Sequence, residues 1–197
     1  MKLIKVLTIV ILIFSFHNIV KADDIRDFQI EGMSIGDSLL DHYSLNEIKN
    51  AENNPTYYPK SKKFKIIFFN SKFKELYEMI TFEIKTNDKE YIIYGIKGDK
   101  PISETECLKK KENVVEQIKS VVPNANFEEY ASNYSKNYGN SKAIVSHFNT
   151  NDGGMIRAWC TVWDKNNKIV KDSLWRDSLA VSFSNRELRY FIDNKAY

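Results

Sequence analysis

Residues 142–163, KAIVSHFNTNDGGMIRAWCTVW, decide the fold of this chain. They contain two runs rich in β-branched and aromatic residues, 142–149 and 155–163, which are typical of strands. The sequence Asn-Asp-Gly-Gly at 151–154 joins the runs, and glycine tolerates the positive φ angles that tight hairpin turns require. The stretch therefore predicts an antiparallel hairpin.

Alternation in the second run separates two faces of the predicted sheet. Cys160 is in phase with residues that are all small or apolar and are expected to face the core: Ile156, Ala158 and Val162. Trp159 and Trp163 have the opposite phase, and so does Arg157. An exposed row of these residues is typical of a binding surface, where Trp and Arg contribute most. If helices cover both sheet faces, the tryptophans are core residues instead.

Other runs extend the sheet on both sides of this hairpin. Residues 63–70, 76–85 and 90–97 are rich in Ile, Phe and Tyr and are separated by polar turns, which predicts an antiparallel meander. Residues 179–183 predict a further strand. Residues 169–174 form either a short strand or an irregular edge.

Helix starts are marked by Ser-x-x-Asp/Glu signatures, the pattern of a capping box. They begin at the serines Ser34, Ser44, Ser103 and Ser184. These signatures predict helices over 35–42, 45–52 and 104–122 and a short C-terminal helix. A weaker signature at Asn126 predicts a helix over 127–138.

Three tyrosines recur every four residues on that last helix: Tyr130, Tyr134 and Tyr138. Such a stripe forms either a second recognition surface or a face that packs against the sheet. Together the elements predict an α+β fold with antiparallel sheet in two ααβββ-like halves and helices packed on one face. Residues 23–197 are expected to form one domain, with 23–100 and 101–197 as possible subdomains. Whether the strands make one sheet or two stays open.

The first twenty-two residues are interpreted as a signal peptide. Lys2 and Lys5 precede an apolar run over 6–16, and small residues lead to a cleavage site between Ala22 and Asp23. The alternative is an uncleaved membrane anchor over residues 3–20, but Lys5, His17 and Asn18 interrupt that stretch, and its unbroken apolar core is shorter than the roughly twenty residues that a spanning helix requires. A periplasmic or extracellular location is expected, with no transmembrane segment in the mature chain.

The charge of the chain depends on this segment. The sequence has 29 basic and 26 acidic residues, and Lys2, Lys5 and Lys21 account for the difference. A neutral mature chain has no long-range field that attracts a polyanion, so neither nucleic acid nor an acidic membrane surface is an expected partner. The lysine clusters at 60–65 and 109–111 are interpreted as solvated faces.

The only two cysteines, Cys107 and Cys160, are expected to form a disulfide, because an even count in an exported chain favours pairing. Cys107 shares an apolar helical stripe with Val114, Val115, Ile118 and Val121. The alternative is a catalytic thiol, which needs an activating base. Beyond the leader only His42 and His147 could supply one, and neither is tied to a cysteine.

The order of helices and strands, with Gly32-Met33-Ser34 opening the first helix, resembles the ααβββ modules of the outer-membrane-assembly lipoprotein BamE and of β-lactamase-inhibitor-protein-like domains. The resemblance implies a non-enzymatic envelope protein that binds other proteins. The chain departs from the lipoprotein pattern because it has no lipidated cysteine. It also resembles small exported bacterial proteins with no assigned activity.

No catalytic motif is present: the chain has no Gly-x-Ser-x-Gly, phosphate loop, His-Glu-x-x-His or Cys-x-x-Cys. We therefore expect no cofactor, metal or catalytic residue. The sequence predicts a periplasmic or secreted binding or structural module with an envelope protein partner. The alternative is a small secreted hydrolase or small-ligand-binding protein whose site combines distant residues: His147, Asp152, Arg157 and Tyr134.

Overall fold

The computed structural model describes residues 24–197. The signal peptide predicted for residues 1–22, with its cleavage site between Ala22 and Asp23, lies outside the described residues and stays a prediction. Within the described residues no helix is long and apolar enough to cross a membrane.

The described chain combines four α-helices of 5 to 18 residues with ten strands, and the α+β class is confirmed. The helices are α1 (Leu45–Ala51), α2 (Glu104–Val121), α3 (Lys168–Asp172) and α4 (Arg186–Lys195). The strands are β1 (Gln29–Ile30), β2 (Met33–Ser34), β3 (Thr56–Tyr58), β4 (Ser61–Asn70), β5 (Met79–Lys85), β6 (Gly95–Pro101), β7 (Asn126–Asn133), β8 (Lys142–Asn149), β9 (Met155–Val162) and β10 (Ser178–Ser184). Three 3-10 helices lie at Ile25–Asp27, Leu39–Asp41 and Lys136–Tyr138.

Strands β3 to β10 form one antiparallel sheet of eight strands in the order β3-β4-β5-β6-β10-β9-β8-β7, and β1 and β2 form a separate two-stranded sheet. Each half of the chain contributes four consecutive strands as a meander. The two meanders meet at β6 and β10, which pair from Gly95 opposite Ser184 to Pro101 opposite Ser178. A single sheet therefore runs through both halves.

Local signals explain most of the helix starts. Ser44 caps α1 with both hydrogen bonds of a capping box, and Ser103 caps α2 by accepting from Glu106 N at 3.3 Å. Helix α4 begins one residue later than its signature indicates, because Asn185 Oδ1 accepts from Leu188 N at 2.9 Å.

Several predicted elements are wrong in detail. The helix predicted over 35–42 is only the 3-10 turn at Leu39–Asp41, and Gly32-Met33-Ser34 lies in the β1–β2 hairpin rather than at a helix start. Residues 169–174 are not a strand, because α3 occupies most of them. Each half thus has one α-helix before four strands.

The helix predicted over 127–138 is wrong as well. Residues 126–133 form strand β7, in which every residue pairs with a residue of β8. Phe127 lies 4.8 Å from Phe148, ring centre to ring centre, on the core side of the sheet. Pairing along the whole strand and burial of Phe127 stabilise β7 more than the weak Asn126 cap could stabilise a helix.

The main core lies between one face of the sheet and the helices α1 and α2. Side chains that alternate along the strands point into it, among them the fully buried Phe82, Ile96, Ile156 and Phe148. Cys107 on α2 and Cys160 on β9 form a buried disulfide on this side, with Cα atoms 5.8 Å apart. Both cysteines therefore face the same core, as the two apolar stripes predicted.

Two lysines that the sequence placed on solvated faces are buried. Lys111 is 3% exposed and donates to Ser146 Oγ at 2.9 Å, which ties α2 to β8. Lys65 is 7% exposed, forms an ion pair with Glu52 and donates to the Thr86 carbonyl at 3.1 Å. The interpretation of these clusters as fully solvated is wrong at these two positions.

Helix α4 packs on the other face of the sheet and covers one corner of it. Leu188 and Phe191 of α4 are buried there against Tyr58 and Phe64 of β3 and β4. Phe64 has the opposite phase to Ile67, which belongs to the main core. The α4 corner, defined by these contacts, bounds the surface described next.

Candidate binding surface

The face of the sheet that points away from α2 carries the residues in phase with Trp159, and we call it the open face. Cys160 points to α2, so its strand neighbours Trp159 and Thr161 point to the open face. Within the described residues α4 is the only long helix that packs on this face, and it covers the corner formed by β3 to β6. The predicted separation of the two phases of β9 is confirmed.

Two rows of cross-strand neighbours form the floor of the open face. The polar row runs from β5 to β7 through Thr81, Lys97, Ser182, Arg157, His147 and Glu128. The mixed row beside it runs through Met79, Asp99, Ala180, Trp159, Val145 and Tyr130. The guanidinium carbon of Arg157 lies 5.6 Å from the centre of the Trp159 ring, so a cation and an aromatic face stand side by side.

Four aromatic rings meet at the end of the open face where β7 and β9 finish, and we call them the aromatic cluster: Tyr134, Tyr138, Trp163 and Trp175. Trp163 stacks on Tyr134 with ring centres 4.9 Å apart and contacts Trp175 at 4.5 Å. Tyr138 touches Trp175 at 5.4 Å. Such stacked rings form a rigid surface with little conformational entropy left to lose on binding.

The structure joins two surfaces that the sequence treated as separate. Trp159, Trp163 and Arg157 were expected on a sheet face, and the three tyrosines on a helix. The tyrosines are instead on β7, just after it and in a 3-10 helix, yet all six residues lie along the open face. Tyr130 is 43% exposed, while the other five are half-buried.

Trp175 is a member of this surface that the sequence analysis did not single out. It is 40% exposed and lies in the connection between β9 and β10. The signal that could have indicated it is a tryptophan inside a segment otherwise rich in Lys, Asn and Asp. Nothing in its spacing links it to Tyr138.

A polar cluster lies where the open face meets the α4 corner. Tyr58 Oη donates to Glu83 Oε1 at 2.6 Å, and the carboxylate lies above Gly95, which has no side chain to block it. Burial raises the pKa of Glu83 above its ordinary value, although the bond from Tyr58 and the charges of Arg157 and Lys97 act in the opposite direction. Burial also raises the pKa of Tyr58, as does the neighbouring Glu83.

Glu83 makes the stability of the chain depend on pH. Because its pKa is higher in the folded chain than its ordinary value of 4.5, the folded chain holds this proton at pH values where the unfolded chain has released it. The free energy of unfolding therefore falls as the pH rises from about 4.5 through the folded-state pKa. We expect Glu83→Gln to be more stable than the wild type at pH 8, with a gap that closes toward pH 4.5.

Chemical unfolding at several pH values measures this gap. The glutamine keeps an oxygen that accepts the hydrogen bond from Tyr58, so the variant removes only the charge of Glu83. Burial also raises the pKa of Asp99, but Asp99 is present in both proteins, so its contribution cancels in the comparison. A wild-type-minus-variant difference that is constant from pH 4.5 to pH 8 would contradict the expectation.

The four residues of the alternative enzymatic site do not form one cluster. His147 and Arg157 are direct neighbours across β8 and β9, and His147 Nε2 contacts Asn149 Oδ1 at 2.9 Å. Asp152 instead stabilises the hairpin turn by accepting a hydrogen bond from Gly154 N at 3.0 Å. It also accepts from Ile25 N at 3.1 Å, which ties the turn to the first 3-10 helix. Tyr134 belongs to the aromatic cluster. No group of three potential metal ligands occurs among residues 24–197.

A concave region of about 650 Å³ lies away from the aromatic cluster, beside the β5–β6 connection. Lys63 and Lys85 line it, and both pair with Glu187 of α4, at 2.7 and 3.0 Å. Asp88 and Glu90 add further negative charge. Because Glu187 already neutralises both lysines, this region is a weaker candidate for ligand binding than the open face is.

Comparison with protein-family models, with curated proteins and with solved structures finds no match to this chain.

Proposed function

We propose that this chain is an exported binding module that holds a protein partner of the cell envelope through its open face. The observation that carries the proposal is the position of Arg157, Trp159, Tyr130 and the aromatic cluster on one face that the described helices cover only at a corner. The buried disulfide between Cys107 and Cys160 supports folding in an oxidising compartment.

The composition of the open face supports a protein partner. Trp, Tyr and Arg are the residues that dominate protein interfaces, and here they alternate with polar groups that give orientation. The half-burial of Trp159 and Trp163 holds their rings in place before binding, which lowers the entropy cost of association.

The size of the open face also suits a protein. Eight strands spaced by about 4.8 Å span about 34 Å, and seven-residue strands are about 23 Å long. The face is therefore about 800 Å² before the α4 corner is subtracted. A standard interface buries about 800 Å² on each partner, so a partner would have to cover the whole uncovered floor together with the aromatic cluster at its end.

The experiment places a photo-crosslinking amino acid at Tyr130 of the full chain in its native cell envelope. We expect one discrete covalent adduct that mass spectrometry identifies as a protein. A matched probe at Tyr190, which is 58% exposed on α4, should give no such adduct. Adding Trp159→Ala to the Tyr130 probe should lower the adduct yield about tenfold or more, the effect of losing a hot-spot side chain.

Two results would contradict the proposed function. One is the absence of an adduct at Tyr130, and the other is the same set of adducts from Tyr130 and Tyr190. The thermal midpoint of Trp159→Ala serves as the folding control, and Arg157→Ala provides a second variant on the same face if the midpoint falls.

A further inference from the structure

The two edges of the eight-stranded sheet differ in how well they are protected. Strand β3 at one edge has only three residues, and its register with β4 shifts before Tyr58. Pro55 and Pro59 flank this strand, and Tyr58 packs against Phe191 of α4. Short length, irregular register and neighbouring prolines keep a sheet edge from pairing with another chain.

Strand β7 at the other edge is long and regular. It has eight residues, each paired with β8 without a shift in register, and it contains neither proline nor lysine. Every one of its side chains except that of Phe127 is exposed. Within residues 24–197 no strand pairs with its outer side. A long, regular and free edge is a template for a further strand.

One hydrogen bond just beyond β7 shows which of its backbone groups point outward. Tyr134 N donates to the Ser141 carbonyl at 3.0 Å in the same register, so the even-numbered residues of β7 exchange hydrogen bonds with β8. The N–H and C=O groups that point away from the sheet are those of Phe127, Glu129, Ala131 and Asn133. None of these groups hydrogen-bonds another residue of the described chain. An extended backbone is the occupant that satisfies such a row along its whole length.

We propose that β7 pairs with β7 of a second copy of this chain, antiparallel and about a two-fold axis, so that the two sheets become continuous. The outward row is its own complement, because a two-fold rotation places each N–H opposite a C=O. With the axis at Tyr130, Glu129 faces Ala131 and Phe127 faces Asn133 of the other copy. All the outward groups of both strands are then paired.

Charge and pairing select this register over its neighbours. A shift of two residues one way places Glu129 opposite Glu129 of the second copy, and like charges directly opposite each other are destabilising. A shift the other way leaves the outward groups of Phe127 unpaired. In the proposed register Glu128 faces Ser132, and no glutamate faces a glutamate. The two Glu129 side chains are diagonal neighbours, and each is already paired with Lys111 of its own copy at 3.3 Å.

The size of the edge sets the strength of the dimer. The edge is about 27 Å long and a sheet layer is about 10 Å thick, so each copy contributes about 270 Å². Permanent dimers bury several times more, so we expect a weak and reversible dimer.

Pairing of the two β7 strands also enlarges the open face. The two-fold axis is perpendicular to the sheet, so the open faces of both copies lie on the same side. Tyr130, which is 43% exposed, then stands next to Tyr130 of the second copy. Their Cα atoms are about 4.5 Å apart, the spacing of an antiparallel pair without hydrogen bonds, and aromatic pairs at such positions add stability. The dimer therefore presents a continuous floor larger than that of one copy.

Sedimentation equilibrium of the purified full chain tests the pairing. We expect the wild type to be mainly dimeric at about 300 µM and mainly monomeric at about 1 µM, as a weak interface requires. Ala131→Pro removes an outward N–H but no hydrogen bond to β8, and an edge strand tolerates proline there. It should keep its thermal midpoint and dimerise about tenfold more weakly or less still. The matched control is Ala131→Thr, which keeps the N–H, suits a strand and should dimerise like the wild type.

Disulfide trapping tests the register and does not depend on the proline variant. Tyr130→Cys places two cysteines across the axis with Cα atoms about 4.5 Å apart, which a disulfide can bridge, so oxidation should give a covalent dimer. Ser132→Cys is the matched control on the same strand face. Its two cysteines lie about 14 Å apart in the proposed register, too far for a disulfide.

Three results would overturn the proposal. They are a wild type that stays monomeric at the higher concentration, equal association of folded Ala131→Pro and Ala131→Thr, and equal trapping by Tyr130→Cys and Ser132→Cys. Trapping joins two copies of this chain, whereas the adduct that the proposed function expects at Tyr130 contains a different protein. This inference and the proposed function can therefore fail separately.

Discussion

Replacement of Cys107 and Cys160 together by alanine should lower the free energy of unfolding by about 4 kcal/mol, the chain-entropy value for a loop of this length. The disulfide closes a loop with a sequence separation of 53 residues and joins helix α2 to strand β9. Without it the unfolded chain regains the conformational entropy of that loop. Both sulfurs are fully buried with Leu179, so the alanine variant also loses some packing.

Urea unfolding of the oxidised wild type and of the double variant measures this loss. Because most of the loss comes from breaking the bond, the wild type unfolded in the presence of a thiol reductant should show most of this decrease, and the double variant should be lower by only the packing that alanine removes. A loss below about 1 kcal/mol would contradict the chain-entropy account. It would mean that packing of α2 on β9 and β10 holds the loop without the bond.

Gly95→Ala should lower the free energy of unfolding by about 3 kcal/mol, at the upper end of the range for overpacking a buried site. A Cβ atom at position 95 would lie 1.9 Å from Glu83 Oε2 and 2.5 Å from Leu188 Cδ2. Either Glu83 moves and its bond from Tyr58 is broken, or α4 moves away from the sheet. Both outcomes disturb the α4 corner.

Hydrogen exchange distinguishes the two outcomes, since faster exchange confined to Arg186–Lys195 indicates displacement of α4. Ser182→Ala on β10 is the matched control, because it changes the same sheet face without adding an atom. If Gly95→Ala were as stable as Ser182→Ala, the close approach of Glu83 and Leu188 to this backbone would not constrain the fold.

The hairpin at 142–163 and the disulfide illustrate what could be predicted. Both depend on local patterns: alternation along one strand, an Asn-Asp-Gly-Gly turn, and an apolar stripe on a helix. The structure places Gly153 at φ +85° in that turn and both cysteines in one core. Where neighbours along the chain determine the conformation, the sequence was sufficient.

The tyrosine stripe illustrates where local patterns fail. A spacing of four residues places side chains together on a helix, but four is also a multiple of two, so the same spacing shares one face of a strand. Tyr130 therefore reaches the open face from β7 although the predicted helix is wrong. Its pairing partner Val145 is fifteen positions away, and no helical pattern could indicate it.

The buried lysines show that a local charge pattern does not predict whether a side chain is exposed. Lys111 follows Lys109 and Lys110 in an ordinary basic run, and only the tertiary structure supplies Ser146 and Glu129 as its partners. The sequence around Glu83 likewise does not distinguish it from an exposed carboxylate on a strand. Only the tertiary structure places Tyr58, Gly95 and α4 around it.

The sequence by itself determined the class of the fold, the core phase of strand β9 and the pairing of the cysteines, because hydrophobic periodicity and turn chemistry act over a few residues. Only the tertiary structure decided that eight strands form one sheet, that β6 pairs with β10, and that six predicted residues share the open face. Those outcomes depend on contacts between residues far apart in the chain, whose free energy is set by the packing of the whole sheet.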